Sequence, residues 1–370
     1  MYSTEAARVV AVVVHLVTAA LLIGGLTLIL GARQRGILVV PGLVLLVPGL
    51  ALFPRPGRLR PELPVVREPD APELFRLVHD VADAVGVRRV DLVQLAPEFS
   101  VTVVPYGLLR RPCLLLGLPL WAACPPQQRV AALAHGLAHL SPRHVRHGAL
   151  IGTALGSLAV GSGSVRISPQ ARLPWNSPAQ AWQAHHLTDA ERRFNARGRH
   201  SDLASWALLW IPRAVACTTT RLLLRLTRSA TQRAEAEAEL AAARTASPDA
   251  AVAVLDPHLA RATLLELHRL VVEARTFAGR RATPAGQEDL WAELARYATR
   301  VRPGQDTSRP VAPVAPERAT SSLLAPGHAA AVTLDAPRRL RIEAELRDPQ
   351  REVALMVLRD GIPVPASFEA

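Results

Sequence analysis

Between Arg8 and Arg33 the chain runs for 24 residues without a charge, VVAVVVHLVTAALLIGGLTLILGA, and nothing else in it limits the fold as much. About 20 mostly apolar residues let a helix cross the hydrocarbon core of a bilayer, so this run predicts a transmembrane helix. A second apolar run, Gly36 to Phe53, follows the short turn Arg33-Gln34-Arg35 and carries Pro41 and Pro48. Membrane helices tolerate proline because neighbouring groups re-satisfy the freed backbone. The expected arrangement is a helical hairpin. A cleaved signal peptide is the competing reading of the first run. Its n-region, MYSTEAAR, offsets one Arg with one Glu, however, and the run is too long for an h-region. Arginines orient the hairpin: Arg33 and Arg35 lie in the turn, whereas Arg8, Arg55, Arg58, Arg60 and Arg67 lie on the outer flanks. The positive-inside rule then places both termini and the large domain in the cytoplasm, on an integral protein of the cell membrane.

The formal charge of +12 invites a nucleic-acid partner, which the distribution of charge argues against. There is no lysine, so all 43 basic residues are arginine, spread along the chain without the stripe that a phosphate backbone requires. Attraction of the arginines after the second helix to anionic lipid is the simpler use, making the bilayer the expected partner and nucleic acid not. Cys113, Cys124 and Cys217 are odd in number and lack metal-type spacing, as in reduced cytosolic thiols.

Beyond the Pro- and Arg-rich connector, Leu74, Leu77, Val78, Val81 and Val85 share one helical face over Pro72 to Val85, and Gly86 supplies a C-cap. Strands are expected at Val90 to Leu95, Val101 to Val104 and Cys113 to Leu118, with a turn at Pro105-Tyr106-Gly107. Pro125-Pro126 opens a helix over Gln127 to Leu140. Two further apolar segments, 148–165 and 203–220, are candidates for membrane association. Helical patterns recur at Thr227 to Ala246, Leu255 to Ala278 and Gln287 to Val301, and the C-terminal tail reads as short strands and a charged helix.

Chemistry concentrates in Ala131-Ala132-Leu133-Ala134-His135-Gly136-Leu137-Ala138-His139-Leu140. His135 and His139, four apart, project from one helix face about a turn apart. Two imidazoles so placed fit adjacent vertices of a zinc tetrahedron. With 12 histidines in the chain such a pair also arises by chance, and two surface or core histidines are the bland alternative. A zinc site needs a third ligand from another helix. In TQRAEAEAELAA, Glu235 is the candidate ligand and Glu239, a turn on, the candidate residue that orients a histidine from behind. An exposed Glu/Arg-rich helix face is the alternative there.

These residues, in this order, resemble the HtpX-like and CAAX-prenyl-protease group of membrane zinc metallopeptidases. The likeness runs from the N-terminal hairpin through PELFRL and PPQQRVAALAHGLAHL, over the two apolar segments, to QRAEAEAELAA. The resemblance implies zinc held by His135, His139 and Glu235, and an active site on the cytoplasmic side. It also implies peptide or membrane-protein segments added to an edge strand, expected at Cys113, Leu114, Leu115 and Leu116. The fold class expected is α+β, mainly α: a transmembrane helical hairpin and a zincin-like domain with a small β-sheet. The corresponding layout is a hairpin over 1–54, a linker over 55–71, a metallopeptidase-like domain over 72–301, a Pro/Ala-rich linker over 302–333 and a tail over 334–370.

The chain departs from the family's His-Glu-x-x-His motif, since Gly136 stands where the general-base Glu belongs. General-base help is worth about 10²–10⁴ in rate, so its loss is severe. Ser100-Val101 replaces an Asn-Ala pair, and Ser308-Arg309-Pro310-Val311 replaces a Thr-His-Pro-Pro element. Expected is a pseudoprotease that keeps its zinc ligands, in which Gly136→Glu would return some activity. The alternatives are a working metallo-endopeptidase of membrane or misfolded proteins and an unrelated membrane scaffold.

Overall fold

Proline at the start of a helix and glycine just past its end are strong local instructions, and several helices here obey them. The computed structural model describes residues 2–32, 36–53, 57–107, 109–141, 150–158, 189–277, 285–301 and 329–361. In chain order its elements are α1 (Tyr2–Gly31), α2 (Val39–Leu52), β1 (Val65–Val66), α3 (Pro72–Val85), β2 (Leu92–Ala96), β3 (Val101–Tyr106), β4 (Arg111–Gly117), α4 (Leu118–Ala123), α5 (Pro126–Ala138), α6 (Asp189–Thr245), α7 (Pro248–Val254), α8 (Pro257–Phe277), α9 (Ala285–Val301), α10 (Ala336–Glu345) and α11 (Arg347–Asp360). A further helical stretch covers 150–158. The chain divides into two units, Met1–Arg55 with Arg146–Ala230, and Pro56–Val145 with Thr231–Ala370. Most of the linker 302–333 and the Ser308–Val311 element lie outside the described residues, as do residues 159–165 of the first apolar segment.

The described residues of the first unit are mainly helical. Glu5–Gly31 of α1, 27 residues, is long and apolar enough to cross a membrane, and among the described residues it is the one such helix. Gly36–Leu50 is apolar but shorter. The two helices pack closely because glycines remove the side chains between them: a Cβ on Gly25 would lie 2.8 Å from the Leu46 amide nitrogen, and one on Gly42 would lie 2.6 Å from Ile29 Cγ1. Small residues of this kind let apolar helices approach to backbone contact. Nearer the N-terminus of α1, Ala7, Ala11 and Val14 join Ile151, Ala154 and Leu158 and, from α6, Ala216 and Leu223 in a small core. His15 Nε2 lies 3.3 Å from the Leu150 carbonyl in the same unit.

The second unit carries a mixed four-stranded sheet, in the order β1-β2-β4-β3. β2 and β4 are parallel, with Leu92 opposite Cys113, whereas β3 is antiparallel to β4, with Val101 opposite Leu116. Buried Gln94 holds the approach to β1 by donating to the Arg60 and Leu63 carbonyls. The core joins Leu74, Phe75, Leu77 and Val78 of α3 to Leu95, Leu114, Leu116, Leu133 and Leu137. α3 ends as its sequence dictates, with Gly86 in the left-handed region at φ 76°.

The C-terminal segment belongs to this core and is not an appended tail. Val332, Leu334, Ile342, Leu346, Val353 and Val357 are all buried in it, and each large apolar side chain so buried contributes about 1.5–3 kcal/mol. The described part is two helices, α10 and α11, where strands and one helix were expected. Two polar contacts explain why the segment docks. The Glu345 carboxylate accepts from the Glu73 and Leu74 amides at 2.9 and 3.0 Å, and so caps α3, whose own N-cap residue, Ala71, has no side-chain acceptor. The Gln127 amide donates to the Ala246 and Val332 carbonyls.

Candidate metal centre

Pro126 starts α5, and its apolar positions Val130, Ala131, Leu133, Ala134 and Leu137 are buried. Arg129 anchors the first turn. Almost buried, it donates to the Cys124 carbonyl at 2.9 Å, pairs with Glu343 at 3.0 Å and lies 5.0 Å over the Trp121 ring. Burial lowers its pKa, and the hydrogen bond it donates to Glu343 opposes that shift.

With α5 fixed in this way, His135 and His139 stand over residues 231–245 of α6. Glu235 spans them, one oxygen to each ring: Oε2 is 3.5 Å from His135 Nε2, and Oε1 is 3.9 Å from His139 Nε2. The rings meet edge to face, with centroids 5.2 Å apart. One donor atom from each of the three residues lies within 4.8 Å of the others. In a tetrahedral zinc site with bonds of about 2.0–2.1 Å, neighbouring donors are about 3.3 Å apart, so small side-chain rotations would bring this set to metal-binding distances. Two imidazoles and a carboxylate form a donor set able to hold a borderline-soft ion, and the residues fit the group. Exposure is graded: the His135 side chain is 17% exposed, His139 36% and Glu235 48%.

Glu239 is buried, as an inward-facing residue one turn beyond Glu235 should be. Yet His135 Nδ1 is buried without a hydrogen-bond partner among the described residues. Glu239 therefore does not orient that ring through Nδ1. Metal-bound histidines usually donate their second nitrogen to a carboxylate, carbonyl or water.

The position between the histidines has a packing explanation that the sequence did not supply. A Cβ on Gly136 would lie 2.7 Å from the Val101 carbonyl oxygen, 3.2 Å from its carbonyl carbon and 3.0 Å from its Cγ1. In a helix, glycine costs about 1 kcal/mol relative to alanine. Here that cost accompanies a close approach of helix and strand backbones, which no side chain would permit. The direction in which a general base would start from the helix is filled by main chain.

The expected edge strand is also corrected. Cys113, Leu114, Leu115 and Leu116 lie in β4, which pairs with β2 on one side and β3 on the other. Its main-chain groups are committed on both sides, so it cannot add a peptide. The outer strand beside α5 is β3. Gly117 N donates to Ser100 O, and in an antiparallel pair the bonding residues alternate, so Ser100, Thr102 and Val104 bond inward while Val101, Val103 and Pro105 face outward. The signal available in the sequence was Pro105, because a proline within a strand belongs at an edge.

No protein-family model, curated protein or solved structure matches the chain.

Proposed function

We propose that this protein is a membrane-anchored relative of the HtpX-like metallopeptidases that has kept a zinc site and lost peptide hydrolysis. The observation that carries the reading is Glu235, which comes from a separate helix and presents one oxygen to each of the two histidines. Bound there, zinc would supply a Lewis acid, while His135, His139 and Glu235 fix its place. The chain's own residues offer no proton acceptor at Gly136, and the Val101 main chain occupies the adjoining space. A working endopeptidase is disfavoured by the same contact.

The membrane part of the proposal is that α1 and α2 form a hairpin with the metal centre on the cytoplasmic side. Support comes from the length of α1, the glycine contacts between the two helices, and the many exposed valines and leucines they carry, including Val9, Leu16, Val40 and Val47. Lipid is the solvent in which such a surface is stable.

Zinc-loaded, detergent-purified protein should show no chelator-sensitive cleavage of casein above the His135→Ala background. Cleavage that chelator stops and His135→Ala abolishes would make it a peptidase with a base from elsewhere.

A further inference from the structure

The outer edge of β3, which runs past the metal centre, is closed as a peptide-binding ladder at two of its three outward positions, Val101 and Pro105, and at Gly107 just beyond it. At Val101 the carbonyl faces the Gly136 backbone, with no room for even a methyl group between them. At the other end, the Gly107 amide donates to the Gly57 carbonyl at 2.9 Å. Gly57 also crowds the Pro105 carbonyl, against which a Cβ on Gly57 would collide, and Pro105 has no N–H to offer. Val103 is then the remaining outward position, among the described residues, with both N–H and C=O to give. One residue's pair of hydrogen bonds does not make a strand, since added peptides gain affinity from a run of alternate residues.

The triad itself remains accessible, because the His139 and Glu235 side chains are 36% and 48% exposed. Two neutral imidazoles and one carboxylate leave a divalent ion with a net charge of about +1, and three protein donors leave a four-coordinate ion one position for an outside ligand. We infer that this centre receives a compact anion and not an extended peptide: the Gly136–Val101 and Gly57–Pro105 contacts close the strand edge while the charged triad stays open. The inference rests on the proposed metal site and adds its ligand class.

The test uses full-length protein in detergent with cobalt(II) in place of zinc, read by the visible absorption of the bound cobalt. Acetate is titrated against a Val/Thr-rich extended peptide whose termini are capped and which carries no carboxylate. The inference predicts a saturable shift of the cobalt bands with acetate and none with the peptide. A shift with the peptide, or no shift with acetate, overturns it while leaving the metal site standing. Failure of the wild type to take up cobalt removes the metal site and the inference together. With His135→Ala the cobalt spectrum itself should be lost, and an acetate-dependent spectrum that survives this substitution would place the anion elsewhere and refute the assignment.

Discussion

His135 and Gly136 are adjacent in sequence, yet they face two different environments, one about 100° around the helix from the other. On the histidine side two imidazoles meet a carboxylate from another helix, and the donors remain partly open to solvent. On the glycine side the strand backbone comes so close that a methyl group would collide with a main-chain carbonyl. A hydrolytic zinc site needs both sides, one to hold the ion and one to move a proton. In this chain the three candidate donors meet on the first side, whereas the second is taken up by packing. On the proposed reading, holding a metal and using it are separable within one helical turn.

The sharpest way to break the comparison is to restore the missing carboxylate. Gly136→Glu would have to displace β3 or unwind α5. Overpacking against side chains costs about 1–3 kcal/mol, and against main chain the expected loss is about 3 kcal/mol or more. Denaturant unfolding should show that loss, with no gain of casein cleavage. This reverses the rescue expected from the motif alone, and a stable Gly136→Glu protein that cleaves casein would show the glycine side to be open.

Gly136→Ala isolates the contact itself. Helix propensity favours alanine by about 1 kcal/mol, so net destabilisation can come only from the Val101 contact; we expect about 1–2 kcal/mol. Adding Val101→Ala should recover little, since the closest atom is the Val101 carbonyl oxygen, which the substitution leaves in place. Next in size is the anchor of α5. Glu343→Gln leaves the nearly buried Arg129 without its ion pair and should cost about 1–2 kcal/mol, below the value for a fully buried pair because Glu343 is partly exposed. Zinc affinity should barely move, because the triad is untouched. The smallest effect expected is on Cys113. Burial pushes its pKa up to about 11, so at neutral pH the thiol stays protonated and alkylation should be slow in the folded protein and fast after unfolding.

Much of the local structure was legible. Pro72 to Val85 with its Gly86 cap appears as expected, because proline, an apolar stripe and a glycine agree on that helix. The three strands were located to within a few residues by their β-branched and apolar runs, and the histidine helix by its paired prolines. The triad was legible too, since His135, His139 and Glu235 meet where spacing and chain order placed them. What failed was whatever depends on partners distant in sequence. Strand order is set by which edges meet, and the apolar run Cys113–Leu116 fits an interior strand better than an edge. The C-terminal helices looked like a tail because their role, capping α3 and filling its core, is invisible without α3 beside them. Gly136 marked the departure from the resembled motif, but nothing in the sequence said that a strand lay against it.

The central claim is a metal site built from three named side chains, and its most direct test is zinc content. Detergent-purified wild type should carry one zinc per chain, and His135→Ala and Glu235→Ala should each lose it, with affinity falling by more than the roughly 10–100-fold typical of losing a residue that only orients a ligand. Wild type that stays metal-free after zinc is added, or mutants that keep it, would contradict the account and leave the triad a cluster of two histidines and a glutamate.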